Sequence, residues 1–113
     1  MKTYRFENLI YDVSGLEMLI SQNPSAYGPY AETISEQLLY SLSLYEEPDE
    51  TRIAAMSEVD RDLPIIAVEV GDGTTRIVDG YHRVQRRVRD GLDSVEIFLV
   101  RAHGARRFVR RIA

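Results

Sequence analysis

The chain has 113 residues, of which 44% are hydrophobic and 28% are charged, a composition that predicts one folded domain over residues 1–113. It contains no cysteine, which excludes disulfides, thiolate metal sites and thiol chemistry. No apolar run approaches the roughly 20 residues that span a membrane, and residues 1–7 lack the apolar core of a signal peptide. We therefore expect a cytoplasmic protein with no membrane partner.

The net charge of −4 is distributed unevenly along the chain. Residues 1–72 carry 14 acidic and 4 basic side chains, whereas residues 73–113 carry 4 acidic and 10 basic side chains. All ten cations of the second part are arginines, which suit multi-donor recognition of phosphate or carboxylate groups. Two interpretations stay open: the two parts pack together and neutralise each other, or some arginines hold an anionic ligand.

The first elements predicted along the chain are two short strands and a helix. Residues 4–6 and 9–11 have the composition of strands. Ser14 is the expected N-cap of a short helix over residues 16–21, because a glutamate follows it at the spacing of a capping box. Pro24 ends that helix, since the residue before a proline is disfavoured in the helical region.

Residues 30–45 have the periodicity of a second, longer helix. Its apolar face contains Ile34, Leu38, Leu42 and Tyr45, and is widened by Leu39, Tyr40 and Leu44. So broad a face indicates either a buried helix or a partner surface. Glu32 and Glu36 share another face and offer a metal site only if the helix packs over the loop described below. Residues 1–50 are thus expected to form a mostly helical extension.

The middle of the chain predicts a β-hairpin. Residues 46–50 are an acidic break, and residues 51–56 are compatible with either a helix or an edge strand. Residues 65–70 and 74–78 are rich in β-branched side chains, and Gly71-Asp72-Gly73 between them is typical of a tight turn. Both strands are mostly apolar, so we expect them inside a sheet rather than at its edge.

The most informative stretch is Asp79-Gly80-Tyr81-His82-Arg83, which joins the second hairpin strand to a helix predicted over residues 81–90. Gly91 has the position of a left-handed helix stop. Residues 95–100 predict another strand, and residues 106–112 a short, basic amphipathic tail. The fold class expected from this order is α/β (α+β), with a small mixed sheet and helices packed on it.

The start of the helix at residue 81 is a chemically reasonable place for phosphate. A helix start presents unpaired N–H groups and the positive end of the helix dipole, and a cation there is unfavourable unless an anion is bound. His82 and Arg83 add donors, and Arg87 lies one turn further on the same face, whereas Arg86 is expected at the surface, paired with Asp90. The candidate catalytic residues are Asp79 and His82; the candidate cofactor-binding residues are Gly80, Tyr81, His82, Arg83 and Arg87.

Each of these residues also has a structural interpretation. Asp79 is a good helix N-cap, or it orients His82 or helps to hold Mg²⁺. Gly80 supplies either a positive φ or room for a ligand near the backbone. Tyr81 begins the core-facing stripe or stacks on a base. Arg83 pairs with Asp79 or with the acidic part of the chain, and His82 is a satisfied, half-buried ring.

Residues 63–100 resemble the ParB/sulfiredoxin-like superfamily. The features that carry the resemblance are two strands joined by a short turn, then Asp79-Gly80-x-His82-Arg83 leading into a helix, then Gly91-Leu92 and a third strand. The resemblance implies a small nucleotide-binding fold in which the loop at the helix start contacts phosphates. Members of the superfamily include CTP-using DNA-partition switches, ATP-dependent sulfinic-acid reductases and ATP- or ADP-dependent small-molecule kinases.

Departures from the superfamily narrow the choice. The reductases have a cysteine where this chain has Tyr81, so we exclude sulfinic-acid reduction. Partition proteins carry Glu-Arg-Arg in place of Tyr81-His82-Arg83 and continue into a helix-turn-helix domain, for which there is no room after Val100, so we do not expect stand-alone chromosome partition. The kinase branch keeps the motif but needs a catalytic carboxylate that the sequence does not locate.

Three functions follow as hypotheses. The first is binding of ATP, CTP or another phosphorylated molecule, with Mg²⁺ and a phosphotransferase or nucleotide-hydrolysing activity. The second is a non-catalytic, DNA-associated or regulatory module, supported by the arginines of residues 73–113 but opposed by the acidity of residues 1–72. The third is a partner-binding adaptor or homodimer that uses the apolar face of residues 34–45.

Overall fold

Two β-sheets with helices packed on them make up this mixed α+β protein, as the sequence predicts. The computed structural model describes residues 1–42, 44–45, 47–71 and 73–112. The strands are β1 (Thr3–Phe6), β2 (Leu9–Asp12), β3 (Tyr30–Thr33), β4 (Ile65–Glu69), β5 (Thr75–Asp79), β6 (Ser94–Val100) and β7 (Val109–Arg111). The α-helices are α1 (Val13–Gln22), α2 (Glu36–Leu42), α3 (Glu50–Ala55), α4 (Glu58–Arg61), α5 (Tyr81–Arg89) and α6 (Ala102–Ala105). Short 3₁₀ turns cover Pro24–Ala26 and Arg106–Phe108.

The strands form one antiparallel and one mixed sheet. The antiparallel sheet has the order β1-β2-β7. The mixed sheet has the order β3-β6-β4-β5, in which β4 and β6 run parallel and the other neighbours antiparallel. Strand β5 followed by helix α5 forms the connection that parallel strands require. The prediction that the hairpin strands lie inside a sheet is correct for β4 and wrong for β5, which is at an edge.

Two apolar clusters cover the two faces of the mixed sheet. The first joins that sheet to α1 and the three-stranded sheet, and contains Leu16, Val68 and Val100 among its fully buried members. The second lies under α2 and α5 and contains Ile65 and Val84. Alternate residues of β4 thus enter opposite clusters, which explains why the strand is apolar on both sides.

Helix α1 begins earlier than the sequence predicts, and Ser14 is not its N-cap. Asp12 is the N-cap, and its Oδ1 accepts a hydrogen bond of 2.9 Å from the N–H of Gly15. The Ser14 hydroxyl oxygen instead accepts from the N–H of Lys2 at 2.6 Å. Strand β2 runs directly into the helix, so the last strand residue takes the capping position.

The helix predicted over residues 30–45 is wrong in its first part. Residues 30–33 form β3, which pairs with β6 from Tyr30 opposite Ile97 to Thr33 opposite Ser94. The free edge of β6 supplies hydrogen-bond partners that periodicity does not reveal. Residues 1–50 are therefore not mostly helical. Glu32 lies in a strand and shares no helix face with the residues of α2.

Helix α2 is short, and its apolar residues divide between core and surface. Leu42 is buried, whereas Leu39, Tyr40 and Leu44 are 41%, 70% and 60% exposed. Ser43, within the predicted helix, lies outside the described residues, as does Glu46 in the acidic break. The broad apolar face is thus only partly a core face.

The ambiguous segment 51–56 belongs to α3, which is capped by Asp49. Polar residues 57–62 contain α4, which is capped by Ser57. The predicted hairpin is confirmed by its β4–β5 pairing, while Asp72 in its turn lies outside the described residues. The basic tail provides strand β7, paired with β2. No helix within the described ranges is long and apolar enough to cross a membrane.

Candidate functional site

Gly80 forms the corner between β5 and α5. It is the N-cap residue of α5 with φ of 100°, so the expected positive φ is confirmed. A Cβ at this position would overlap the side chain of Ile65, which is fully buried, with its Cβ 2.7 Å away. Both the backbone conformation and the close packing on β4 therefore require glycine, and the helix start is held tightly against the sheet.

Asp79 is the last residue of β5 and does not cap the helix, because Gly80 occupies the N-cap position of α5. Its carboxylate lies between two cations, with Lys2 Nζ 3.1 Å from Oδ1 and Arg83 Nη1 3.5 Å from Oδ2. Lys2 Nζ also contacts Glu17 at 3.0 Å. The predicted cap is therefore wrong, and Asp79 instead fixes Lys2 and Arg83 beside the helix start.

A cleft of about 960 Å³ opens beside this corner. It lies between β1, the C-terminal end of β5, the first turn of α5, and helices α3 and α4. All of Asp79, Gly80, Tyr81, His82 and Arg83 line it. Its volume is at the upper end of the range that small-molecule sites occupy. The structure thus brings five of the six predicted site residues to one cavity.

His82 contacts the cleft as a neutral ring. Its Nε2 accepts a hydrogen bond of 3.1 Å from the N–H of Asp49, the residue that caps α3. Burial lowers the pKa of His82 below its usual value of 6.5, and the charge of Arg52 lowers it further. Because Nε2 accepts, the ring proton is on Nδ1. His82 can therefore donate one hydrogen bond from Nδ1 to a ligand. Its Nε2 is occupied by the N–H of Asp49, and the neutral ring supplies no positive charge.

Part of the hydrogen-bonding capacity of the Arg83 guanidinium is used in contacts within the protein. Its Nη1 donates to the carbonyl oxygen of Pro64 at 2.9 Å, besides its contact with Asp79. A guanidinium carries five donor hydrogens, so these contacts leave donors for a ligand. The ion pair with Asp79 is the structural alternative that the sequence offered, and it explains how a cation is tolerated in the first turn of a helix.

Arg52 and Arg5 also line the cleft, and the sequence analysis did not identify them. Neither forms an ion pair with a carboxylate of the described residues. Arg5 donates from Nε to the carbonyl oxygen of Glu7 at 3.2 Å. Both lie more than 25 positions from the motif, and only the fold brings them to the helix start. The sequence offers one signal for them: Arg5 and Arg52 are two of only four cations in the strongly acidic residues 1–72.

Arg87 does not line the cleft, in contrast to its prediction as a cofactor-binding residue. Its Nη1 contacts Asp62 at 2.9 Å and its Nε donates to the carbonyl oxygen of Ser94. The turn of helix between Arg83 and Arg87 is enough to carry the side chain towards α4 and β6. Arg87 therefore holds α5 to α4 and β6, as expected if the acidic and basic parts of the chain neutralise each other.

Arg86 is paired with Asp90 as predicted, but it is not mainly a surface residue. Its side chain is 19% exposed, and its Nη1 donates to the carbonyl oxygens of Ile53 and Met56 at 2.7 and 2.9 Å. These are groups at the C-terminal end of α3, where a cation is favourable. Arg86 thus fixes α3, and with it Arg52, over the cleft.

Among the described residues, the carboxylates of Asp79, Glu47 and Asp60 line the cleft. Glu47 and Asp60 form no ion pair with the described cations. Among the residues described, no three His, Asp or Glu side chains are grouped closely enough to hold a metal ion by themselves. Mg²⁺ in nucleotide sites needs only one or two carboxylates, because phosphate oxygens and waters complete its shell.

A row of aromatic rings forms the inner wall of the cleft. The rings of Tyr45 and Tyr81 stack with centroids 5.1 Å apart and planes 9° from parallel, and Tyr4 stacks on the other side of Tyr45 at 5.9 Å. Tyr81 therefore packs against the core, as one of its two interpretations expects, and it also lines the cleft. Its place in this row gives the cavity an apolar wall beside its charged groups.

The comparisons with known proteins add no relative to these observations. No family model matches the chain, no curated protein matches it, and no solved structure matches it.

Proposed function

We propose that the cleft binds a nucleotide or another phosphorylated small molecule, with its phosphates at the start of α5. The observation that carries the proposal is the convergence of a helix start with Arg83 and with Arg52, which has no carboxylate partner among the described residues. Arg52 approaches from α3, while Gly80, which has no side chain, leaves room for a ligand at the start of α5. Backbone N–H groups and guanidinium donors are the usual ligands of phosphate.

The resemblance to the ParB/sulfiredoxin-like superfamily supports the same location. In that superfamily the loop at the helix start contacts phosphates, and here the corresponding residues are Gly80, Tyr81, His82 and Arg83. We assign a different role in phosphate binding to each of three of these residues. Arg83 supplies charge, His82 donates from Nδ1 and the glycine permits close approach. The cytoplasmic location expected from the sequence belongs to this proposal.

We propose Mg²⁺-dependent phosphotransfer or nucleotide hydrolysis as the chemistry of the site. Glu47 and Asp60 are the carboxylates suited to help hold the metal or to position an attacking hydroxyl, because Asp79 is already held by Lys2 and Arg83. His82 is suited to positioning and not to general-base catalysis, since its Nε2 accepts from a backbone N–H.

The first experiment titrates ATP, ADP and CTP, each with Mg²⁺, into the full chain by calorimetry. We expect one of them to bind, and we expect Arg52→Gln and Arg83→Ala each to weaken it. A charge-assisted hydrogen bond contributes about 1.5–3 kcal/mol, which corresponds to a loss of roughly tenfold to a hundredfold. Release of inorganic phosphate by Glu47→Gln and Asp60→Asn then tests catalysis separately from binding.

The matched control is Arg89→Gln, which removes one arginine charge at a residue paired with Glu50 outside the cleft. It should bind as wild type does. If no nucleotide binds wild type, or if Arg52→Gln and Arg89→Gln bind equally well, the site is wrong. Binding with no phosphate release from wild type would retain the binding site and remove the proposed chemistry.

A homodimer is the second proposal, favoured by the apolar residues that α2 leaves exposed. Leu39 lines a shallow groove with Pro48 and Gln85, and Tyr40 and Leu44, in and just after α2, are exposed. Exposed apolar groups in one area are typical of interaction surfaces. Mass measurement in solution at several concentrations tests it, and Leu39→Glu with Leu44→Glu should shift a dimer to monomer. A monomer at every concentration would contradict the proposal.

A further inference from the structure

The arginines of this protein divide into two groups with different surroundings. Those of α5 and the end of β6 are neutralised: Arg83, Arg86, Arg87, Arg89 and Arg101 each contact a carboxylate. Three of these carboxylates, from Asp62, Glu50 and Glu69, belong to the acidic part of the chain. The mutual neutralisation that the charge distribution suggested is therefore real, but it stops at Arg101.

The remaining arginines of the C-terminal part are not neutralised in this way. None of Arg106, Arg107, Arg110 and Arg111 contacts a carboxylate within the described part of the chain, and all four are exposed. They lie in the turn before β7 and in β7 itself. The only other arginine of residues 73–113 without a carboxylate partner among the described residues is Arg76 of β5, which contacts the Tyr11 hydroxyl and the Phe6 ring.

Strand pairing brings Arg5, from the other end of the chain, to the face of the sheet that carries Arg110. Arg5 is opposite Ile10, and Ile10 is opposite Arg110, so the three side chains lie side by side on one face of the sheet. Two strand spacings separate Arg5 from Arg110, about 10 Å. The opposite face carries Tyr4, Tyr11 and Val109, which pack into the core.

The acidic side chains of β2 and of the turn before it do not form ion pairs with these arginines. Asp12, in the middle strand, uses its carboxylate to cap α1. Glu7, in the turn between β1 and β2, forms no ion pair with a described arginine. We name Arg5, Arg106, Arg107 and Arg110 the arginine surface, and leave out Arg111, whose side chain lies on the other face of β7. A segregated set of cations attracts polyanions even when the net charge of the protein is negative.

We propose that the arginine surface binds the phosphate backbone of a nucleic acid. Guanidinium groups donate paired hydrogen bonds to phosphate oxygens, which favours phosphate recognition over simple attraction to charge. The sheet holds Arg5 and Arg110 in register, and none of the exposed large apolar side chains of the described residues belongs to β1, β2, β7 or the turn before β7, so the surface lacks the apolar groups that enter a membrane. Contacts of this type are independent of sequence and sensitive to salt.

The test is fluorescence anisotropy with labelled single-stranded and double-stranded DNA 20-mers and an RNA 20-mer, at 50 and 200 mM NaCl. Wild type should bind at least one of them at 50 mM NaCl, with affinity that falls steeply by 200 mM. The variant Arg106→Gln/Arg110→Gln should bind about tenfold or more weakly and lower the salt slope by about 2, because each arginine neutralises one phosphate. Neither side chain forms an ion pair within the described residues, so folding should be unaffected.

The matched control is Arg89→Gln/Arg101→Gln, which removes two charges from exposed ion pairs elsewhere. It should bind within about twofold of wild type, because surface ion pairs contribute little to stability. Equal losses in both variants would show attraction by overall charge and overturn the proposal. Binding to vesicles with one-third phosphatidylserine but to no oligonucleotide would also overturn it. Nucleotide binding in the cleft should persist in Arg106→Gln/Arg110→Gln, which separates this proposal from the function of the cleft.

Discussion

The hydroxyl of Tyr45 satisfies both backbone groups of Ile77 at the free edge of the mixed sheet. It donates to the carbonyl oxygen of Ile77 at 2.9 Å and accepts from the N–H of the same residue at 2.8 Å. Strand β5 is the last of the described strands on that side of the sheet, so at Ile77 one side chain takes the place of a further strand. The same ring stacks on Tyr81, which links the edge of the sheet to the wall of the cleft.

We expect Tyr45→Phe to lower the free energy of unfolding by about 1–3 kcal/mol, because two half-buried backbone groups lose their partner while the ring remains. Urea unfolding followed by circular dichroism measures the change. Tyr30→Phe is the control: Tyr30 is 52% exposed, so its loss should stay within about 0.5 kcal/mol. Burial raises the pKa of Tyr45 to about 12, and an ultraviolet titration should therefore show one tyrosine that ionises late. Equal stability in the two variants would contradict the edge role.

Gly80→Ala should be strongly destabilising for two separate reasons. The backbone there has φ of 100°, and the added methyl group would overlap Ile65. Gly91→Ala is the matched control, since Gly91 has φ of 76° but nothing within 4 Å of an added Cβ. We expect about 1 kcal/mol for Gly91→Ala from the backbone alone, and about 2–4 kcal/mol for Gly80→Ala. Equal effects in thermal unfolding would show that the packing against Ile65 contributes nothing.

Arg86→Lys should destabilise the docking of α3 although it preserves the charge. The guanidinium reaches the carboxylate of Asp90 and the carbonyl oxygens of Ile53 and Met56 at once, which a lysine ammonium cannot reproduce. We expect a loss of about 1–3 kcal/mol and faster hydrogen exchange in α3. Arg89→Lys, at an exposed pair, should leave both quantities nearly unchanged. Unchanged exchange in Arg86→Lys would contradict the proposed docking role.

The ring of His82 should make stability depend on pH. Its pKa in the folded protein lies below the value of 6.5 for the unfolded chain, so the unfolded chain binds more protons as pH falls. The contribution is fully present above pH 6.5 and is lost as pH falls through the folded pKa. His82→Gln, which can still accept from Asp49, should flatten the free energy of unfolding between pH 7.5 and 5.5. An identical pH profile in wild type and variant would refute this.

Local signals in the sequence identify the elements around the motif. The glycines at positions 80 and 91, the apolar strands and the hairpin spacing are all found as predicted, because each reflects a conformational preference within a few residues. The same signals locate five of the six candidate site residues at one cleft. Strand β3 was missed because its pairing with β6 joins residues more than 60 positions apart.

Only the tertiary structure shows which charges are free. Residue order alone shows that acidic and basic residues are segregated along the chain, and it predicts that Arg83 lies in the first turn of a helix. It could not show that Arg87 is held by Asp62, or that Arg52 faces the same cleft without a carboxylate partner among the described residues. Ion pairing depends on distances of a few ångströms between remote positions, which the packing of α3, α4 and α5 sets, and local periodicity carries no information about those distances.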